Sequence, residues 1–377
     1  MSDVLIIGGG LQGCAIALHL ARAGAAVTVI DRGVAGRQAS GVNAGGLRLL
    51  LRDRREYPLS QRAMALWADL PALVGEAAAA ACEVRLGTGQ VAVAMDAAEW
   101  GWAQARAAEM RRFGYVNEVL LSATEVQALL PGLSGRAMGG LVSQGDGHAN
   151  PAAAARAFRD AAAAAGARIV EGCAVQGVTR LPSGRWQADT VAGPFGAETL
   201  VNCAGAWGAG IAAMAGEALP LQVLALSMMV TARVQPFITP VVIGIDRPLS
   251  FKQSAAGSLV IGGGIAGKAC LQDGASFTVM DRMASSAGAT LEAFPALASV
   301  PVLRTWTGLE GRTPDGVPYI GESRANPGLW HVFGFCGHGF QLGPAVGEAV
   351  AHALMTGAAN PLLAPFAPGR FAGRVAA

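Results

Sequence analysis

The chain has 377 residues, a formal net charge of +2 and only 14% charged residues, against about 25% in an average soluble protein. Glycine (52) and alanine (77) together form about a third of it, and these small residues carry the mean hydropathy of +0.40. No uninterrupted apolar run reaches about 18 residues, which excludes an integral membrane span, and no dense basic stripe is present to make nucleic acid the main partner.

Glycine has no three-residue period and aliphatic residues are plentiful, so neither collagen nor disorder fits. At about 150 residues per domain the length suggests two to three units. Val4–Ile7 is a continuous apolar run, the mark of a parallel strand buried on both faces. Gly8, Gly9 and Gly10 follow. Residues 14–23 then read as a helix stopped by Gly24, and Val27–Ile30 as a second buried strand, completing a β-α-β unit. Residues 33–46 form a glycine- and serine-rich loop. Residues 59–74 read as one helix, which the alanine run 77–81 extends or follows.

Between 84 and 95, Arg85, Gly87 and Gln90 separate apolar positions, which predicts a half-buried antiparallel strand pair. Residues 97–113 and 124–130 read as helices, the second beginning at a Thr124 cap with Pro131 beyond its end. Residues 151–165 are an alanine-rich helix with Pro151 in its first turn. Residues 168–170, 174–179 and 199–204 read as strands. So do 221–232, 248–253 and 258–261, the last two flanking a short hairpin loop. Leu329–Phe333 is a final buried strand, and 343–356 the closing helix. Parallel-type and antiparallel-type segments interleave, so the expected class is α/β, with two domains built from discontinuous pieces.

The six cysteines, at 14, 82, 173, 203, 270 and 336, include no C-x-x-C pair, so neither zinc nor an iron–sulfur cluster is indicated. Cys14 and Cys203 lie in apolar stretches and read as buried free thiols. Met1-Ser2-Asp3 offers no basic n-region, so the expectation is no signal peptide and a reduced, cytoplasmic compartment. The run from Arg48 to Arg55 holds four arginines in eight residues and is as readily a solvated loop face as a binding segment.

Gly8-x-Gly10-x-x-Gly13 sits between strand and helix, and Asp31 closes the next strand. Gly8 allows the tight turn, Gly10 lets backbone approach a pyrophosphate, and Gly13 lets helix and strand pack closely. The helix N-terminus, at Leu11 and Gln12, faces the phosphates, and Asp31 suits an adenosine ribose. Gly262-x-Gly264-x-x-Gly267 imitates this motif, and Phe277 to Asp281 imitates the second strand. Only 268–276 lie between, too few for helix and turn, so the second copy reads as the end of a hairpin strand. One working fingerprint implies one dinucleotide, most simply FAD.

Four further segments are specific: Ser40 to Arg48 (SGVNAGGLR), Val201 to Trp207 (VNCAGAW), Thr313 to Gly321 (TPDGVPYIG) and Phe335 to Gly347 (FCGHGFQLGPAVG). With the fingerprint they resemble the FAD-dependent D-amino-acid oxidase superfamily across essentially the whole chain. The nearest branch is the sarcosine oxidase β-subunit, glycine oxidase and hydroxyproline or opine dehydrogenase group. The resemblance implies a Rossmann-like FAD-binding domain of GR2 type at 1–80, 140–220 and 303–377. It also implies an α+β substrate domain, with a mainly antiparallel sheet, at 81–139 and 221–302. By the same resemblance Arg32, Ser40, Asn43, Gly45 and Gly46 touch FAD, and the Val175 backbone meets the adenine. Ala204, Gly205 and Trp207 lie by the pyrophosphate. Gly337, His338, Gly339, Phe340, Gln341 and Leu342 precede the last helix, whose N-terminus is expected to face the flavin's pyrimidine end. The covalent flavin cysteine of monomeric relatives falls near Gly308, so the FAD is expected to be non-covalent.

Arg48 matches a family arginine that grips the substrate carboxylate. A partner lysine of some relatives falls on Gln341, and Lys252, beside Phe251, is a candidate replacement. His338 is placed near the substrate, and His148 is read as structural or surface. The resemblance implies oxidation of the C–N bond of a secondary or D-amino acid, whether proline-, hydroxyproline-, sarcosine- or opine-like. The product is an imine, formed by hydride transfer to flavin N5 with no essential protein base and no metal. Small partner subunits carrying an iron–sulfur centre or second flavin would fit. The alternatives are a FAD-holding β-subunit with little activity alone, and a 2-hydroxy-acid flavin oxidoreductase.

Overall fold

The computed structural model describes residues 3–371. Met1, Ser2 and residues 372–377, at the two ends of the expected FAD-binding segments, lie outside the described residues. Six strands form a mixed sheet in the order Tyr319–Glu322, Leu329–Phe333, Thr199–Asn202, Val4–Ile7, Val27–Ile30 and Arg168–Val170. All neighbours are parallel except the first pair. Side chains alternate across the pleat, so Val4, Ile6, Val27 and Val29 enter one core and Leu5, Ile7 and Ile30 the other. The first core is covered by Leu11–Arg22, Tyr57–Ala68, Pro151–Ala164 and Gly339–Thr356. Antiparallel strands Val175–Arg180, Trp186–Thr190 and Gly193–Ala197 pack over the second.

The second large sheet has eight strands, in the order Val302–Arg312, Gln222–Arg233, Ser258–Gly262, Ser250–Gln253, Val241–Gly244, Gln90–Ala94, Gly139–Ser143 and Val119–Ser122. Every pairing is antiparallel except that of Val241–Gly244 with Gln90–Ala94. Met280–Ala293 and Ala123–Leu129 cover its core. Strands Gly139–Ser143 and Val302–Arg312 thus belong to this sheet, although both fall largely within the segments the resemblance gives to FAD.

Several local expectations need correction. The long helix of 59–74 is two, Tyr57–Ala68 and Leu70–Val74, because Pro71 enters where the first ends; Glu76–Ala81 follows after Gly75. The loop 33–46 contains the helical turn Ala39–Val42. The strands at 84–95 are not paired with each other. Arg85–Leu86 joins Gly147–His148, and Gln90–Ala94 is buried throughout. The cap expected at Thr124 is Ser122: its hydroxyl accepts from Glu125 N while the Glu125 carboxylate accepts from Ser122 N. The second glycine motif does end a hairpin strand, Ser258–Gly262. Ala275–Phe277 turns back on Lys268–Cys270, and Asp281 opens a helix. Cys14 and Cys203 are buried free thiols. No helix among the described residues is long and apolar enough to cross a membrane.

Candidate cofactor and substrate site

A cavity of about 930 Å³ runs from the fingerprint to the eight-stranded sheet. At its nucleotide end the chain is shaped by missing side chains. Gly8 has φ +106°, and a Cβ there would strike the Cys203 carbonyl; a Cβ on Gly13 would strike the carbonyl of Gly8. Helix Leu11–Arg22 begins at Gly10 without a side-chain cap, and Ser40 Oγ accepts from Leu11 N at 2.9 Å. Asp31 pins the turn, accepting from Gly9 N through Oδ2 and from Gly33 N through Oδ1, both at 2.8 Å. Each oxygen keeps a lone pair for a ribose hydroxyl. Bare backbone, a helix start that Gly10 leaves without a cap of its own and this acid fit a dinucleotide.

The wall continues through residues the sequence singled out. Arg32 lies over the Trp207 ring, 4.8 Å from its centroid. Asn43 folds its own loop, its Oδ1 accepting from Gly45 N at 2.7 Å, and Gly45, at φ +74°, leaves room that a Cβ would close against Ala149 O. Gln12 donates to Gly339 O at 2.6 Å, tying the first helix to the start of the last. Gly8, Gly10, Gln12, Asp31, Arg32, Ser40, Asn43, Gly45, Gly46, Arg48, Val175, Ala204, Gly205, Trp207, Phe251, Lys252, Gly308, Gly337, His338, Gly339 and Phe340 all border the cavity. Leu11, Gly13, Gln341 and Leu342 do not; their role is to support the wall from behind. Phe251 reaches the cavity at a strand whose ring side is core, since its ring packs on Phe294 at 5.1 Å.

Gln341 holds an arginine that sequence reasoning missed. Its Nε2 donates to Ser60 O at 2.9 Å, and its Oε1 accepts from Arg52 Nη2 at 3.4 Å. Arg52 is 1% exposed, faces the cavity beside Arg48, and its Nη1 has no partner. Burial pushes its guanidinium down to about 9. The turn that presents it is clamped from a distance. Asp146 accepts from Leu49 N and Leu50 N, both at 2.9 Å. Glu118 accepts from Leu51 N at 2.9 Å, and Leu51 has φ +57°. Arg106 joins Glu118 and donates to Arg52 O at 2.7 Å. A buried, unpartnered guanidinium N–H is costly unless an anion meets it. The signal in the sequence was the arginine run itself.

His338 and Lys252 complete the polar wall, and His148 lies behind it, near enough to Lys252 to feel its charge. His338 Nδ1 lies 3.2 Å from Glu56 Oε1, and burial, with Arg52 nearby, pushes the ring down to about 4, so it is neutral near pH 7. Lys252 Nζ donates to Ala149 O at 3.3 Å, and burial pushes it down to about 8. Burial and then Lys252 push His148 down to about 4.

The family profile described as FAD dependent oxidoreductase matches residues 3–353. The chain is 29% identical over 382 residues to the sarcosine oxidase subunit beta of Rhizobium meliloti (strain 1021), covering 98% of this chain and 88% of that one. It is 28% identical over 389 residues to the glycine oxidase of Geobacillus kaustophilus (strain HTA426), covering 99% and 98%. Among solved structures, L-proline dehydrogenase from P. horikoshii superposes with a TM-score of 0.89 at 26% identity, covering 98% of this chain and 97% of that one. The chain therefore belongs to the DAO family of FAD-dependent oxidoreductases, and its cofactor is FAD.

Proposed function

We propose that this chain oxidises the C–N bond of a secondary or D-amino acid to an imine. The observation that carries this reading is the free Nη1 of buried Arg52 beside Arg48, on the same cavity as the fingerprint glycines. Two guanidinium groups match a carboxylate, and a fixed carboxylate orients the rest of a small amino acid. Similarity to proteins named sarcosine oxidase subunit beta, glycine oxidase and L-proline dehydrogenase supports an amino-acid substrate.

FAD, when bound, supplies the two-electron acceptor. The chain's own groups do the rest. Gly8, Gly10, Asp31 and the start of helix Leu11–Arg22 hold the nucleotide, while Gly337 and Gly339 give backbone access at the start of the last helix. Arg52 and Arg48 bind the carboxylate, and the neutral His338 ring packs beside them. Gly308, where a cysteine would be needed for a covalent link, makes FAD non-covalent. We assign 1–80, 140–220 and 303–377 mainly to FAD and 81–139 and 221–302 mainly to substrate, with strands Gly139–Ser143 and Val302–Arg312 bridging both.

The test is anaerobic bleaching of the bound flavin by a panel of D-, L- and N-alkyl amino acids. Bleaching by at least one, lost or strongly right-shifted in Arg52→Ala and Arg48→Ala, is expected; no bleaching by any overturns the reading. A second reading, that the chain is the FAD-holding subunit of a heteromer with small iron–sulfur or flavin partners, is favoured by relatives named as β-subunits. Bleaching with negligible hydrogen peroxide formation in air would favour it.

A further inference from the structure

The arginines leave one carboxyl on the cavity wall without a task. Glu310 lies on strand Val302–Arg312, two residues after Gly308, so both positions share the face that borders the cavity. Its Oε1 is 3.7 Å from where a Cβ on Gly337 would stand, and the Gly337 N–H favours its anion. His338 follows directly, with Arg52 and Arg48 close enough to act on its charge. One short segment is thus flanked by guanidinium groups and by a carboxyl. Charged or titratable neighbours of Glu310 are Arg312 on its own strand and Cys336 from the preceding loop. The paired strand sets Leu224 opposite it. The short helix Ala39–Val42, the turn Gly205–Trp207 and strand Ala275–Phe277, which pack on the same strand, bring no charge. Burial raises Glu310 to about 7.

Resting on the amino-acid reading of this cavity, we propose that Glu310 receives the substrate's amino group, its carboxylate pairing with the incoming ammonium and taking one N–H proton. The N–H bond breaks, its electron pair stays on nitrogen, and an O–H bond forms on Glu310; no oxidant enters this step. The neutral amine left behind has the lone pair that a C=N bond requires. Zwitterions meet opposite charges at both ends of such a site, whereas a 2-hydroxy acid brings Glu310 only a neutral hydroxyl donor and no positive charge, so the residue also favours amines.

The proposal is tested on the holoenzyme with trimethylglycine, a fixed cation joined to a carboxylate that has no N–H and no free lone pair. Binding is followed by the absorbance change of the bound flavin, with acetate as the control. Wild-type affinity for trimethylglycine is expected to strengthen as pH rises from about 6 to about 8, by up to roughly tenfold per unit below the ionisation. Acetate shows no such gain, and Glu310→Gln abolishes it. In rapid anaerobic reduction by an amine, the same variant is expected to lose the ionisation near neutrality and to follow the amine's own ionisation instead. A flat or absent wild-type response to trimethylglycine, or one kept in Glu310→Gln, overturns the proposal. Should the variant not fold, the wild-type titration decides alone. If no amine bleaches the flavin, the amino-acid reading fails separately from this binding result.

Discussion

Residues 8–13 and residues 48–52 face one cavity, yet they take their shapes from opposite causes. In the first segment Gly8 and Gly13 leave out side chains, and the carbonyls of Cys203 and Gly8 occupy the space. In the second, distant carboxylates seize successive backbone N–H groups and hold Leu51 at a positive φ. A wall made by omission tolerates no addition. A wall made by clamps tolerates no deletion.

The largest effect that would test this contrast is expected at Glu118. Glu118→Gln leaves Arg106 without its anion and weakens the hold on Leu51 and Tyr57, which should cost about 3–5 kcal/mol in denaturant unfolding. A loss under about 1 kcal/mol would mean the turn holds itself. Next, Arg52→Ala should lower kcat/KM for amino acids by roughly 100-fold, about 3 kcal/mol, with flavin content unchanged; Arg52→Lys should not restore it, since a point charge cannot form the fork. Gly13→Ala should do the reverse, costing about 1–3 kcal/mol of stability through overpacking and lowering flavin content, while any enzyme that keeps FAD retains its KM.

The smallest effect is a pH dependence. His148 and His338 have folded-state values near 4, below the ordinary 6.5. The unfolded chain therefore binds more protons between those values, so stability is fully present above about pH 6.5 and lost as pH falls toward about 4. Thermal melts across that window should decline, and His148→Gln should flatten the decline without touching FAD.

The same contrast explains what could be read from the residues alone. The fingerprint was legible because Gly8, Gly10, Gly13 and Asp31 act within one β-α-β unit. The loop at 40–48 and the segment at 337–342 were legible by resemblance. Arg52 was not, because its setting depends on distant partners: Gln341 is 289 positions from it, and Asp146 and Glu118 are 96 and 67 positions from the Leu50 and Leu51 they hold. Gln341 was expected at the cofactor and instead stands behind the arginine. Glu310 was overlooked because nothing local marks it; only the pairing of its strand brings it to Gly337. The Ser122 cap is written in the sequence as S-x-x-E, two residues before Thr124.

The bond from Gln12 to Gly339 joins groups 327 positions apart, and this bears on how the chain comes off the ribosome. At about 5–20 residues per second, roughly 16–65 s separate the synthesis of the two partners. Throughout that interval the glycine turn exists, but its neighbours Thr199–Asn202, Leu329–Phe333 and the last helix arrive only in sequence. The nascent first strand pairs early with Val27–Ile30 but must wait for Thr199–Asn202 with its other edge bare, a state prone to mispairing and to capture by chaperones. Cofactor loading is thereby postponed until translation is nearly finished, and a polypeptide cut short before Leu329 should emerge colourless.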